Sequence, residues 1–123
     1  MTGETIQIVE DESLIVLHMT QILESAGYRI VYPASSGERA LRALKKSPVP
    51  DLILMDILLA GSLDGIETAR EIRKHYDIPI IFLTACADIS RIEEAKSVSP
   101  YGYISKPFLQ KDILDAVEHA LCR

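Results

Sequence analysis

Asp56 stands where a carboxylate is hard to accommodate. It follows Leu52, Ile53, Leu54 and Met55 directly, and apolar residues resume at Ile57. Its side chain therefore sits at the inner end of what reads as a buried strand. An unpaired carboxylate there costs several kcal/mol, so it is either held by partners or faces an opening with a task. Other chemistry-bearing residues also follow apolar runs: Glu10, Asp11 and Glu12 after one, Thr84 after another, and Lys106 after a third. Carboxylates drawn together repel unless a cation lies among them. Mg²⁺ suits such a set, because it takes hard oxygen ligands and is commonly held by one or two carboxylates together with water and phosphate oxygens. A hydroxyl and an ammonium left over would serve a phosphoryl group as donor and positive partner. A carboxylate can itself be the nucleophile, giving an aspartyl phosphate. The residue types predict a Mg²⁺-assisted phosphoryl site with Asp56 as acceptor.

These groups converge only if the chain folds to bring them together. Strand-like runs fall at 5–10, 28–33, 51–56, 78–84 and 101–106, with segments of helical period between them. The first such segment carries Ile15, Met19, Ile22 and Ala26 on one stripe and stops at Gly27. The second opens on Ser35-Ser36-Gly37-Glu38, a capping-box pattern, and buries Ala40, Leu41 and Leu44. The third starts at Asp64, with Glu67 three residues on, and carries Ile66, Ala69 and Ile72. A fourth, around 88–97, is short and weakly amphipathic. The last puts Ile113, Leu114, Val117 and Leu121 on one face. Pro48, Pro50, Pro79 and Pro100 fall just before or at the start of strands, where they do least harm. Five βα units predict one α/β domain over residues 1–123, a parallel sheet covered by helices on both faces. The near-continuous apolar runs of the third and fourth strands agree, since parallel strands are buried on both sides. In an open sheet of this kind the site forms beyond the C-terminal strand ends, where Glu10, Asp11, Asp56, Thr84 and Lys106 all fall.

Composition excludes other classes. A net charge of -5 with scattered basic residues argues against direct nucleic-acid binding. Cys86 and Cys122 lack metal-ligand spacing and imply no disulfide framework, which suits a reducing cytosol. No signal-peptide pattern opens the chain and no apolar run is long enough to span a bilayer, so the expected compartment is the cytoplasm, with no membrane partner.

The motifs VEDE (9–12), LMDILL (54–59), DGIETA (64–69), FLTA (82–85) and YISKPF (103–108) resemble, in order and in strand position, those of response-regulator receiver domains of two-component signalling. The resemblance covers essentially the whole chain from residue 5. It implies a flavodoxin-like sheet in the order 2-1-3-4-5 and transfer of a phosphoryl group to Asp56 from the phospho-His of a histidine kinase or phosphotransfer protein. It also implies Asp11 as a direct Mg²⁺ ligand, Glu10 as its companion acting through water, and the Leu58 backbone carbonyl as a further ligand. Lys106 would pair with Asp56 at rest and with the phosphoryl oxygens after transfer. Thr84 would bind the phosphoryl group, and Tyr103 would be the switch aromatic that follows it. The Lys106-Pro107 bond is expected to be cis. Downstream partners would be another receiver, a fused effector or a kinase, reached through the fourth helix, fifth strand and fifth helix.

The sequence departs from the family pattern in three places. Glu10 stands where Asp is more usual, the loop LLAGSLDG is one residue longer between acceptor and DG, and Leu58 and Cys86 occupy two variable positions. Neither of those last side chains orients an attacking water, which predicts a long-lived phosphoryl-Asp.

Plainer readings stand beside these. Asp51 is expected to be a solvent residue at a strand start, and Glu12 the opening acid of the first helix. His18 reads as packing, His75 and His119 as helix-end surface residues, and Cys86 as a small loop-entry residue. A hydrolytic phosphatase would want a second Asp just behind the nucleophile, where Ile57 and Leu58 stand. A flavin module would need a phosphate-cradling loop after the first strand, where EDES is acidic and lacks glycine. The remaining alternative is a degenerate receiver that binds partners independently of phosphorylation.

Overall fold

The alternation of short apolar runs and helical segments is realised directly. The computed structural model describes residues 3–46, 48–59, 61–85 and 91–122. Its elements run β1 (Thr5–Val9), α1 (Ser13–Ser25), β2 (Arg29–Ile30), α2 (Gly37–Ala43), β3 (Leu52–Asp56), α3 (Gly65–His75), β4 (Ile80–Thr84), α4 (Ile92–Lys96), β5 (Gly102–Ser105) and α5 (Gln110–Cys122). The strands form one sheet in the order β2-β1-β3-β4-β5, every pairing parallel.

The period of two along each strand sorts side chains to two faces. Val9, Ile53, Met55, Ile80 and Phe82 point to one face, where Ala40 of α2 and its C-cap Leu44, Ile66, Ala69 and Ile72 of α3, and Ala95 of α4 cover them. Ile6, Ile8, Leu52, Leu54, Ile81 and Leu83 point to the other, under Met19, Ile22 and Leu23 of α1 and Ile113, Val117 and Ala120 of α5. β3 and β4 are buried at every position, as expected of central parallel strands.

Several local expectations need correction. β2 has two residues rather than the six of 28–33, and pairing resumes only as an isolated bridge between Val9 and Ala34. Between them Tyr32 takes a left-handed φ of 50°, and its carbonyl accepts from buried Gln7 Nε2 at 2.9 Å. The backbone leaves the ladder here and is satisfied by a side chain instead. On α1 Ala26 is exposed, and Leu23 takes its place in the core. Ala26 is the C-cap residue, already turning out of the helix. No capping box forms at α2. Ser36 caps it by accepting from Arg39 N at 3.2 Å, and Glu38 reaches away to the β3–α3 loop. The first three residues of the predicted 88–97 helix, like Cys86, lie outside the described residues.

The third helix does begin with the expected capping box. Asp64 accepts from Glu67 N at 2.8 Å, and Glu67 Oε1 accepts from Asp64 N at 3.0 Å. Arg73, Lys74 and His75 fill its last turn, where the helix dipole favours positive charge. This helix also carries α4. Asp64 pairs with Arg91 at one end of α4. At the other, Arg73 donates to the carbonyls of Val98 at 3.0 Å and Ser99 at 2.6 Å. With five residues and Ala95 alone buried, α4 is held more by these polar contacts than by apolar area.

Candidate functional site

Strand order reverses between β1 and β3, since the chain leaves β1 outward to β2 and returns on the other side at β3. Reversal opens a crevice beyond the C-terminal strand ends. Glu10 and Asp11 follow β1 there, and Asp56 ends β3. One carboxylate oxygen from each of Glu10, Asp11 and Asp56 lies within 4.8 Å of the others. Asp11 is exposed, whereas Glu10 and Asp56 are 2% and 6% exposed. The inner two carboxylates are thus nearly shut off from water, while the third keeps the cluster open to it.

Lys106 answers this charge from the end of β5. Its Nζ donates to Asp56 Oδ2 at 2.9 Å and to Glu10 Oε1 at 3.1 Å. The Lys106 amide donates to the Thr84 carbonyl at 2.6 Å, so β4 and β5 fix the base of the side chain together. The peptide bond to Pro107 is cis, as expected. The second oxygen of Asp56 accepts from Leu58 N at 3.1 Å, and the second oxygen of Glu10 from Glu12 N at 3.2 Å. Each inner carboxylate therefore has one backbone donor and a share of one ammonium. That leaves Glu10 uncomfortable: burial, then the neighbouring Asp56 charge, push its carboxyl up to about 7 despite Lys106. Burial works against the Lys106 charge too, but its hydrogen bonds to Asp56 and Glu10 outweigh it and raise its pKa. Three carboxylates facing one ammonium form a donor set that a hard divalent cation would complete.

Thr84 is 7% exposed at the end of β4, in register with Ser105 next to Lys106. Tyr103 lies in register with Phe82, rings 6.2 Å apart, and is 37% exposed. Its ring is thus partly open to solvent beside Phe82. Leu58 is 49% exposed at the crevice mouth.

Of the residues set aside on sequence, Glu12 reaches the cluster only through its backbone amide and His18 borders Lys106, while the others serve elsewhere. Asp51 accepts from Thr5 N at 2.8 Å, tying β1 to β3 at the sheet end opposite the crevice. Glu12 is the N-cap residue of α1 and makes no side-chain cap. His18 stacks on Phe108 at 5.6 Å, while His75 and His119 are exposed and touch Tyr76 and Tyr101.

Two supports of the site were not singled out from the sequence. A Cβ on Gly65 would lie 2.0 Å from the Asp56 carbonyl oxygen, so α3 starts directly against the backbone of β3. The DG dipeptide carried that signal. Glu38 accepts from both the amide and the hydroxyl of Ser62; nothing in the local pattern of α2 pointed to it.

The model of the response regulator receiver domain matches residues 6–118. The chain belongs to that family. It is 36% identical over 116 residues to the transcriptional regulatory protein PdtaR of Mycobacterium tuberculosis, covering 94% of this chain and 56% of that protein. It is 38% identical over 108 residues to the transcriptional regulatory protein YvrH of Bacillus subtilis, covering 88% of this chain and 45% of that one. The chain thus spans about half the length of these curated relatives. A putative response regulator from Chloroflexus aurantiacus superposes with a TM-score of 0.90 at 32% identity, covering 99% of this chain and 100% of that one. The signal receiver domain of a modulated diguanylate cyclase from Desulfovibrio desulfuricans gives 0.89 at 36% identity, covering 97% and 94%. These receivers share the flavodoxin-like order and layering described above. Among the described residues no helix is long and apolar enough to cross a membrane.

Proposed function

We propose that residues 1–123 form a single phosphoacceptor receiver domain, with Asp56 taking a phosphoryl group from the phospho-His of a histidine kinase or phosphotransfer protein. The observation that carries this reading is the Lys106 ammonium shared between Asp56 and Glu10 beside exposed Asp11. An Asp56 oxygen attacks phosphorus, a P–O bond forms, the P–N bond to the donor imidazole breaks, and the electron pair returns to that ring. Asp11 and Glu10, with Asp56 and the Leu58 carbonyl, would hold Mg²⁺, whose contribution when bound is to neutralise charge on the phosphoryl oxygens. Lys106 moves its hydrogen bond from Asp56 to a phosphoryl oxygen, and Thr84 donates its hydroxyl to another.

The transferred charge is bound better in one arrangement of Thr84 and Lys106 than in the other, and this difference drives the population shift. Tyr103, now partly open to solvent, would follow Thr84, changing the face formed by α4, β5 and α5 that a receiver, effector or kinase reads. Few apolar contacts hold α4, which suits an element that must move. On this reading the domain works in the cytoplasm. Leu58 offers no polar atom to orient water, so the phosphoryl group should be long-lived, and rapid loss of label from purified phosphoprotein would contradict that.

Intact-mass spectrometry after incubation with Mg²⁺ and acetyl phosphate tests the whole reading. One phosphoryl adduct on the wild type, dependent on Mg²⁺ and absent from Asp56→Asn, is the expected result. No adduct on either would make the chain a degenerate receiver that binds partners without phosphorylation.

A further inference from the structure

The β3–α3 loop carries Leu58 past the acidic cluster and returns the chain to α3. Its base is closed by the Gly65 amide, which donates to the Ile57 carbonyl at 2.8 Å. Leu59 is buried in the core beneath it. Beyond Leu59 the fixed point comes from another element. Glu38, in the first turn of α2, accepts from Ser62 N at 3.0 Å and from the Ser62 hydroxyl through the same Oε2. Gly61 has a left-handed φ of 105°, and a Cβ there would lie 3.1 Å from Glu38 Oε1, so the carboxylate sits closely under the turn. α2 is itself seated on α3 at this point: a Cβ on Gly37 would meet Thr68 Oγ1 at 2.0 Å. The arm that reaches the loop is thus anchored on the helix into which the loop runs.

An acid in the first turn of a helix ordinarily serves the helix dipole or a capping box. Glu38 does not cap α2, whose N-cap contact is Ser36 with Arg39. Its carboxylate reaches a loop 24 residues away, the one that joins Asp56 to Asp64-Gly65. A loop has many ways to lie, and a fixed point near its apex removes most of them.

We propose that Glu38 is a positioning residue for the phosphoryl site: by gripping Ser62 it sets where the β3–α3 loop presents the Leu58 backbone to the Asp56 cluster. This rests on the reading of that cluster as a Mg²⁺-dependent phosphoryl site. Glu38 touches neither metal nor phosphoryl group and acts only through the loop. Groups that orient a metal ligand from outside tune metal affinity, typically by tenfold or more when lost.

The test measures Mg²⁺ binding to the unphosphorylated protein through backbone amide shifts of Leu58 and Leu59, and phosphorylation by acetyl phosphate across Mg²⁺ concentrations. Glu38→Ala should raise the half-saturating Mg²⁺ concentration roughly tenfold, the low end for a lost outer partner. The rate at saturating Mg²⁺ should stay close to wild type. Ser62→Ala, which leaves α2 untouched, should do the same in part, and the double variant should be no worse than Glu38→Ala alone. Glu38→Gln keeps one acceptor oxygen and should fall between. A mere helix-dipole role would lower Tm in Glu38→Ala, leave Mg²⁺ binding alone and make Ser62→Ala silent; that pattern overturns the proposal. If the wild type neither binds Mg²⁺ nor takes up phosphate, the reading of the cluster itself fails and the positioning role falls with it.

Discussion

Lys106 Nζ stands 2.9 Å from Asp56 Oδ2, and the same nitrogen reaches Glu10 Oε1 at 3.1 Å. The two carboxylates come from different strands and are almost wholly buried, so one ammonium holds together the ends of β1, β3 and β5. Removing it leaves two buried acids facing each other. Breaking a fully buried pair costs roughly 3–5 kcal/mol; Lys106 keeps 18% of its side chain exposed, so Lys106→Met should cost somewhat less. Because Mg²⁺ would neutralise the same charge, it should raise the Tm of Lys106→Met more than that of the wild type. Thermal melts with and without Mg²⁺ check this, and equal shifts in both proteins would contradict the shared-charge account.

Gly65 has no room for a side chain. Its Cβ would fall 2.0 Å from the Asp56 carbonyl oxygen and 2.8 Å from Ile57 Cα, both backbone atoms that cannot swing aside. Overpacking usually costs about 1–3 kcal/mol, so Gly65→Ala should lower Tm and, by displacing Asp56, slow phosphorylation by acetyl phosphate. Gly102, with nothing within 4 Å of an added Cβ, is the control: Gly102→Ala should melt and react as the wild type does.

The contrast between Gly65 and Glu38 shows which parts of the site were legible in the sequence. Glu10, Asp11, Asp56, Thr84 and Lys106 could be found because each follows an apolar run, and a parallel sheet brings all such positions to one end. Gly65 belongs to a DG dipeptide whose role is local. The Glu38–Ser62 contact depends instead on how α2 sits on α3, a packing geometry no short pattern encodes. β2 misled for a related reason: YRIVYP has strand composition, but an edge strand has one pairing partner, and here Tyr32 turns away after two residues while Gln7 satisfies its carbonyl. Ser35-Ser36-Gly37-Glu38 carried the residues of a capping box, yet the acid found a better partner in Ser62.

Asp64 caps α3 and pairs with Arg91. Burial pulls its carboxyl upward, but the Arg91 hydrogen bond, the Glu67 amide and the Arg91 charge outweigh that and hold it below its ordinary value of 3.8. A depressed folded-state pKa gives stability that is present above the unfolded value and lost as pH falls through the folded one. Wild-type stability should therefore drop below about pH 4, and Asp64→Asn, which keeps the cap oxygen but not the charge, should drop less there. At neutral pH Asp64→Ala should lose about 1 kcal/mol from the cap, plus a smaller, salt-sensitive part from the partly buried pair with Arg91. Urea melts at neutral and acid pH separate the two contributions.

Three exposed leucines stand on the elements that follow β1 and β5 at the end of the sheet that holds the acidic cluster. Leu14 is 81% and Leu17 54% exposed on α1, and Leu109 is 70% exposed just before α5. Leu17 shares a cleft with Glu10 and Asp11, and between α1 and the β5–α5 turn His18 and Phe108 line a depression with Lys106. Exposed leucines around a charged centre are costly to keep in water and suit a partner with an apolar face around its own reactive group. On the proposed function, a histidine-bearing phosphodonor protein would bring its imidazole to Asp56 across this rim, whereas acetyl phosphate need not touch it. Leu14→Asp and Leu109→Asp should thus slow transfer from a phosphorylated histidine donor about tenfold, the effect of losing one interface contact worth roughly 1.4 kcal/mol. Labelling by acetyl phosphate and Tm should stay as in the wild type, because both side chains project into solvent. Equal slowing with both donors would mean that the substitutions disturb the Asp56 site itself, and no slowing with either would move the donor's footprint off this rim.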